Sequence, residues 1–265
     1  MRRKTVCDPN GKIVYWVSEA MDAERDTLFF LHGLTADHTM FEEQVVCFGR
    51  DYNVIVWDAP AHGQSRPYNT FTFGNATSGM KRIIDECGLS QVILIGQSMG
   101  GYLSQSFALG YPEQVKALVS IGSTPYGEYY SKSDIWWLNQ IGWIAKLLPE
   151  KLLKQTMVKH HAMTKNGREN MAAMVAQYEK TELCWLMRTG YKGFLEDNRT
   201  FDICCPVLLL VGEKDRTGKV KSYNKEWAKR TGYELIWIPG AAHNAHVDNP
   251  AAVNNSIRHF LESLK

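Results

Sequence analysis

The chain holds six cysteines (Cys7, Cys47, Cys87, Cys184, Cys204 and Cys205) but no Cys-x-x-Cys pair. Scattered thiols of this kind exclude a dense disulfide scaffold and offer no zinc spacing, so they are expected to be buried free thiols that behave as small hydrophobes. A block of one charge sign is also missing. Lys and Arg number 30 against 28 Asp and Glu, for a formal net charge of +2. With the signs interspersed there is no basic tract for nucleic acid or anionic lipid. No apolar run approaches the length that crosses a bilayer. The opening "MRRKTVCDPNGK" meets Asp-Pro-Asn-Gly where a signal peptide would place its apolar core, so a cytoplasmic protein is expected. Internal repeats and low-complexity segments are absent. No Gly-x-Gly-x-x-Gly fingerprint occurs, because "GQSMGG" lacks the initial Gly-x-Gly.

What remains is an ordinary globular composition, 45% hydrophobic and 22% charged over 265 residues. That length carries one large domain or a body with an inserted subdomain. The N-terminus reads as a hairpin, "KTVC" and "KIVYWVSEA" around the turn "DPNG". Apolar runs follow at "TLFFLHG", "NVIVWDAP", "QVILIG", "VKALVSIGS", "PVLLLVGEKD" and "ELIWIPGAAH", separated by helical stretches. The runs are continuous, not alternating, as expected for strands buried on both faces. The fold class is therefore α/β, with a mostly parallel central sheet and helices on both faces. Between Pro125 and Phe201 the alternation gives way to amphipathic helices: "DIWWLNQIGWIAKLL", "EKLLKQTMVKHH" and "RENMAAMVAQYEKTELCWLMRTG". The expected organisation is a body formed by residues 1–124 and 202–265, with a helical cap over residues 125–201.

Three residues fall just beyond strand ends, where ligands bind in open α/β sheets. Ser98 follows "VILIG", Asp215 follows "VLLLVGEK" and His243 follows "ELIWIPGAA". A serine hydroxyl is a poor nucleophile until a neighbouring base takes its proton. Histidine suits that task, since its reference pKa of about 6.5 lies near neutrality. A carboxylate on the far ring nitrogen fixes the tautomer and stabilises the imidazolium. Gly96, Gly100 and Gly101 crowd Ser98 where a strand becomes a helix, as a sharp bend requires. The bend places Ser98 at a helix N-terminus, so the Met99 N–H is expected to donate to an oxyanion. The loop "HGLTADHTMF" supplies a second candidate donor, the Leu34 N–H.

In the order "HGLTADHTMF", "WDAPAHGQS", "GQSMGG", "LLLVGEKD" and "IPGAAHNAHVDNP", the chain resembles the α/β-hydrolase fold superfamily in its capped, esterase-like branch, nearly end to end. The resemblance implies Ser98 as nucleophile, Asp215 as acid and His243 as base, with the Leu34 and Met99 N–H groups as oxyanion hole and no cofactor or metal. Ala61 stands where the similar Asp-x-Pro-Gly-His-Gly-x-Ser turn has glycine.

The expected activity is hydrolysis of an ester or related acyl substrate through an acyl-enzyme. Alternatives are a lyase or a C–C bond hydrolase that uses the same triad, or a small-molecule receptor that kept the fold. Asn244 stands where C–C bond hydrolases often carry tryptophan. Asp248 is read as part of the approach to the last helix. His32 is expected to shape the oxyanion loop, and the adjacent His160 and His161 to lie on a solvated face. Candidate substrate-binding residues are His32, Tyr126, Trp136, Trp137, Trp143, Trp185 and His246. They are joined by Tyr130, Met157, Met163, Met171, Met174 and Met187 as apolar residues of the cap. The oligomeric state is not encoded in any motif.

Overall fold

The computed structural model describes residues 1–265. Strands β1 (Arg2–Asp8) and β2 (Gly11–Val17) form the expected hairpin. Asp8 Oδ1 closes its turn by accepting the Asn10 and Gly11 N–H groups at 2.7 and 3.2 Å. Six further strands follow: β3 (Thr27–Leu31), β4 (Asn53–Trp57), β5 (Val92–Gln97), β6 (Val115–Ile121), β7 (Val207–Gly212) and β8 (Glu234–Ile238). All eight join one sheet in the order β1-β2-β4-β3-β5-β6-β7-β8. β2 runs antiparallel to β1 and β4, and every other pairing is parallel.

Every residue of β3, β4, β5 and β7 is buried. Successive strand side chains point to opposite faces, so both faces of the sheet are covered. The covering helices are α1 (Glu42–Phe48), α2 (Phe73–Glu86), α3 (Met99–Gly110), α8 (Val220–Thr231) and α10 (Pro250–Ser263), with a short α9 (Ala245–Asp248). Thr72 caps α2 by accepting the Asn75 N–H at 3.0 Å.

Between β6 and β7 the chain forms four helices and no strand: α4 (Lys132–Leu147), α5 (Glu150–His161), α6 (Lys165–Ala176) and α7 (Lys180–Asp197). One expectation needs correcting, because "RENMAAMVAQYEKTELCWLMRTG" forms two helices and not one. A reciprocal capping box between Glu179 and Glu182 starts α7 afresh. Tyr178 is buried at the break under the Arg66 guanidinium, 4.3 Å from its ring. Gln177 reaches Asp37 Oδ2 at 2.7 Å and ties the break to the body. α7 then lies close over the body because two of its positions lack side chains. A Cβ at Gly190 would stand 2.8 Å from Leu34 Cδ1, and one at Gly193 2.7 Å from Phe73 Cδ1. No helix is long and apolar enough to cross a membrane.

Candidate active site

Ser98 links β5 to α3 with φ 50° and ψ −112°, a left-handed conformation held by its surroundings. A Cβ at Gly96 would collide with the Gly100 carbonyl, and one at Gly100 with the Leu31 carbonyl. At Gly101 it would stand 2.5 Å from Ser123 Cβ. These obstacles are mostly backbone and cannot swing aside. Gly100→Ala is therefore expected to cost about 3 kcal/mol or more of stability, read from urea unfolding; a loss below about 1 kcal/mol would show the bend to be far more pliant than this.

The bend leaves Ser98 partly exposed on the wall of a cavity of about 390 Å³. His243 and both candidate amide donors, Leu34 and Met99, belong to the same wall. Neither of these amides has an acceptor within the protein. His243 Nδ1 lies 2.9 Å from Asp215 Oδ2, both side chains being almost wholly buried. Asp215 Oδ1 accepts the Thr217 N–H at 2.7 Å. Burial works to raise the Asp215 pKa, but the His243 ring and the Thr217 N–H outweigh it and hold the carboxyl below its ordinary value. A carboxylate that accepts at Nδ1 leaves Nε2 as the basic nitrogen. Ser98 and His243 share the cavity without a hydrogen bond between them.

The structure sorts the remaining candidates. Trp137, Tyr130, Met157, Met171 and Met187 line the cavity. Trp136, Trp143, Trp185 and Met163 do not, and project outward instead. Tyr126 and Met174 are core residues; Tyr126 stacks on Phe194 and its hydroxyl lies 3.0 Å from Ser106 Oγ. His32 is fully buried outside the cavity. Its Nδ1 donates to the Gly33 carbonyl at 2.8 Å and its Nε2 accepts the Ala59 N–H at 2.9 Å, joining the loop of Leu34 to the turn that carries Ala61. Ala61 has φ 65°, the left-handed geometry that glycine takes without cost. His246 is buried against Phe41, ring centroids 4.7 Å apart, and lies outside the cavity. Of the candidate substrate-binding residues, His32, Tyr126, Trp136, Trp143, Trp185 and His246 thus lie off the cavity wall, and Trp137 lies on it.

His161 reverses its expectation. It lies at the end of α5 on the cavity wall, its ring 5.1 Å from that of His243 and edge-on to it. Its Nδ1 donates to the Met157 carbonyl at 2.6 Å, which leaves Nε2 free to accept. Burial, reinforced by the nearby His243, pushes its pKa down to about 4, so the ring is neutral near pH 7. Adjacent histidines on a helix diverge by about 100°, and nothing local says which of the two turns inward.

Asp248 was also only partly legible. Asn249, not Asp248, caps α10, accepting the Ala252 N–H at 3.2 Å. The Asp248 carboxylate instead accepts from the Met163 and Thr164 N–H groups, from the Thr164 hydroxyl and from the Ala242 N–H, all at 2.9–3.0 Å. The Asn244 N–H donates to the His161 carbonyl at 2.8 Å. The α5–α6 junction is thereby strapped to the loop that carries His243.

Asp37, His38 and Asp58 bring potential metal-ligand atoms within 4.8 Å of one another. Their carboxylates are already engaged. Asp37 accepts from Thr39 and Gln177, and Asp58 from His38 and Gln64. This is the bonding of a structural turn.

The sequence model of a family described as "alpha/beta hydrolase fold" matches residues 26–250. Over 284 residues the chain is 25% identical to "Uncharacterized hydrolase YugF" of Bacillus subtilis, covering 99% of this chain and 98% of that protein. It is 26% identical over 249 residues to 2-succinyl-6-hydroxy-2,4-cyclohexadiene-1-carboxylate synthase of Pectobacterium atrosepticum, covering 88% and 93%. Among solved structures, a thermophilic esterase from Thermogutta terrifontis superposes with a TM-score of 0.80 at 18% identity, over 100% of this chain and 99% of that one.

Proposed function

Because the chain belongs to the α/β-hydrolase fold family, we propose that it is a serine hydrolase of esters or related acyl substrates, with residues 125–201 as the cap of its site. The reading is carried by the 2.9 Å contact of Asp215 with His243 on the wall of the cavity that also takes Ser98. His243 Nε2 removes the Ser98 proton as Oγ attacks the acyl carbon. The Leu34 and Met99 N–H groups receive the oxyanion, and the leaving group departs with the proton from His243. Water, deprotonated by the same ring, then releases the acid and restores Ser98. No step needs a metal or a nucleotide.

A cavity of about 390 Å³ is near the small end of ligand sites, which span roughly 300–1,000 Å³. Its five methionines, Met40, Met99, Met157, Met171 and Met187, with Phe73 and Phe194, suit an apolar acyl group of short to medium length. The synthase likeness favours one second reading, a lyase that uses the same three residues. Fluorophosphonate labelling together with turnover of p-nitrophenyl esters of graded acyl length separates the two. Labelling and turnover that vanish in Ser98→Ala support the hydrolase. Labelling of Ser98 without turnover of any ester favours the lyase, and neither signal favours a receptor.

A further inference from the structure

Nine of the eleven large hydrophobic side chains left exposed lie between residues 135 and 185. Four are tryptophans: Trp136, Trp137, Trp143 and Trp185, exposed by 56, 57, 55 and 40%. On α4, Trp136, Trp143 and Leu147 are seven and four residues apart and so project from one side of the helix. α7 packs directly beside them, since a Cβ at Gly142 would stand 2.6 Å from Arg188 Cβ. Trp185, one turn before Arg188, thus adjoins the α4 face. Cations rim the indoles, with Lys146 Nζ 4.5 Å and the Arg188 guanidinium 5.7 Å from the Trp143 ring. α4 and α7 carry four lysines and Arg188 against four acids. Every acid is engaged: Asp134 with Lys219 at 2.7 Å, Glu182 with Arg66 at 3.4 Å, Glu196 with Lys192 at 3.3 Å, and Asp197 with the Ser106 hydroxyl at 2.7 Å. Lys132, Lys146, Lys180 and Arg188 form no ion pair.

We propose that this tryptophan-rich, cation-rimmed face of α4 and α7 docks on an anionic lipid surface. Indoles are the side chains that settle at a membrane–water boundary, and lysines beside them complement acidic headgroups. A second copy of the chain fits the face less well. An isologous contact would bring this cationic patch against a copy of itself. Linear sequence shows no basic tract; the cations beside these indoles come from two helices far apart in the chain, Lys146 of α4 and Arg188 of α7. Trp137 lines the cavity and is also more than half exposed, so docking brings the cavity to the lipid at α4. The inference goes beyond the hydrolase reading and does not depend on it, because binding is measured without turnover.

The test uses the full chain carrying Ser98→Ala and sedimentation with vesicles of phosphatidylcholine containing about one-third phosphatidylglycerol, a mimic of an anionic leaflet. The protein should sediment with these vesicles, its tryptophan emission should shift to the blue, and added salt should weaken both effects. Trp136→Ser, Trp143→Ser and Trp185→Ser together should lower partitioning about tenfold or more. Lys132→Gln and Lys146→Gln should each lower it roughly fivefold. Unchanged thermal unfolding of the variants confirms that they fold. Absence of sedimentation, or equal partitioning of the triple variant and its parent, overturns the proposal. A dimer in sedimentation velocity that the triple variant abolishes, with vesicles left unbound, assigns the face to a second copy and overturns it equally.

Discussion

Replacing Ser98 by alanine is expected to lower kcat on a p-nitrophenyl ester by about 10⁵-fold or more, and Asp215→Asn by about 10⁴-fold, with KM little changed in either. On the proposed mechanism the first change removes the atom that forms the acyl-enzyme. What survives is catalysis by the free Leu34 and Met99 amides and by substrate positioning. The second keeps the shape of the Asp215 side chain but lets an amide N–H face His243 Nδ1. The ring then turns to the tautomer whose Nε2 carries a proton and cannot accept one from Ser98. Asp248→Asn supplies the contrast. Its carboxylate binds backbone and threonine donors of the α5–α6 junction and the Ala242 N–H, and makes no bond to the His243 ring. A loss of about 10-fold or less is expected there. Steady-state kinetics of the three variants decides the matter: a larger loss in Asp248→Asn than in Asp215→Asn would transfer the acid role.

Acid should unfold this chain before its buried aspartates are protonated. Burial holds the His62 and His246 rings down to about 3, against an ordinary 6.5. Both are fully buried, and His246 finds no partner for either ring nitrogen. Below pH 6.5 the unfolded chain takes up a proton on each ring, whereas the folded chain stays neutral until pH nears 3. The stability of the neutral state is thus complete above pH 6.5 and declines as pH falls. Each histidine contributes a slope of about 1.4 kcal/mol per pH unit. By pH 4.5 the pair has removed about 5 kcal/mol, as much as the whole stability of many domains. His161, held near 4, adds a third contribution of the same sign. The depressed Asp215 and Asp37 lose their share only as pH falls below 3.8, outside this window. His246→Phe keeps a ring stacked on Phe41 and removes no hydrogen bond. It should move the acid midpoint downward without weakening the fold at neutral pH, as read by near-UV circular dichroism. An unmoved midpoint would show that His246 is not part of the acid response.

The elements most legible in the sequence are those whose signals are local. Continuous apolar runs marked β3, β5 and β7, since a strand covered on both faces has no polar side to show. The glycines around Ser98 marked the bend, because the collisions they avoid are with backbone a few residues away or on the adjoining strand. Residues whose role depends on a partner far along the chain were read less well. The separation of α6 from α7 has a local part, the Glu179–Glu182 capping box, and a distant one, Tyr178 under Arg66 and Gln177 on Asp37. Asp248 serves a junction 84 residues earlier.

Chain order and residue chemistry alone determined an α/β body with a helical insertion, and singled out a serine, an aspartate and a histidine beyond three strand ends. Tertiary structure alone decided which side of each amphipathic helix is inside. Trp136 and Trp137 are neighbours of one residue type, yet only Trp137 reaches the cavity, and of His160 and His161 only the second does. A helix turns its successive side chains about 100° apart, so helical periodicity defines a stripe but not what it faces. That choice is made by the surface packed against it: here α7, brought close by Gly142 and Gly190, and the His243 loop, held by Asp248.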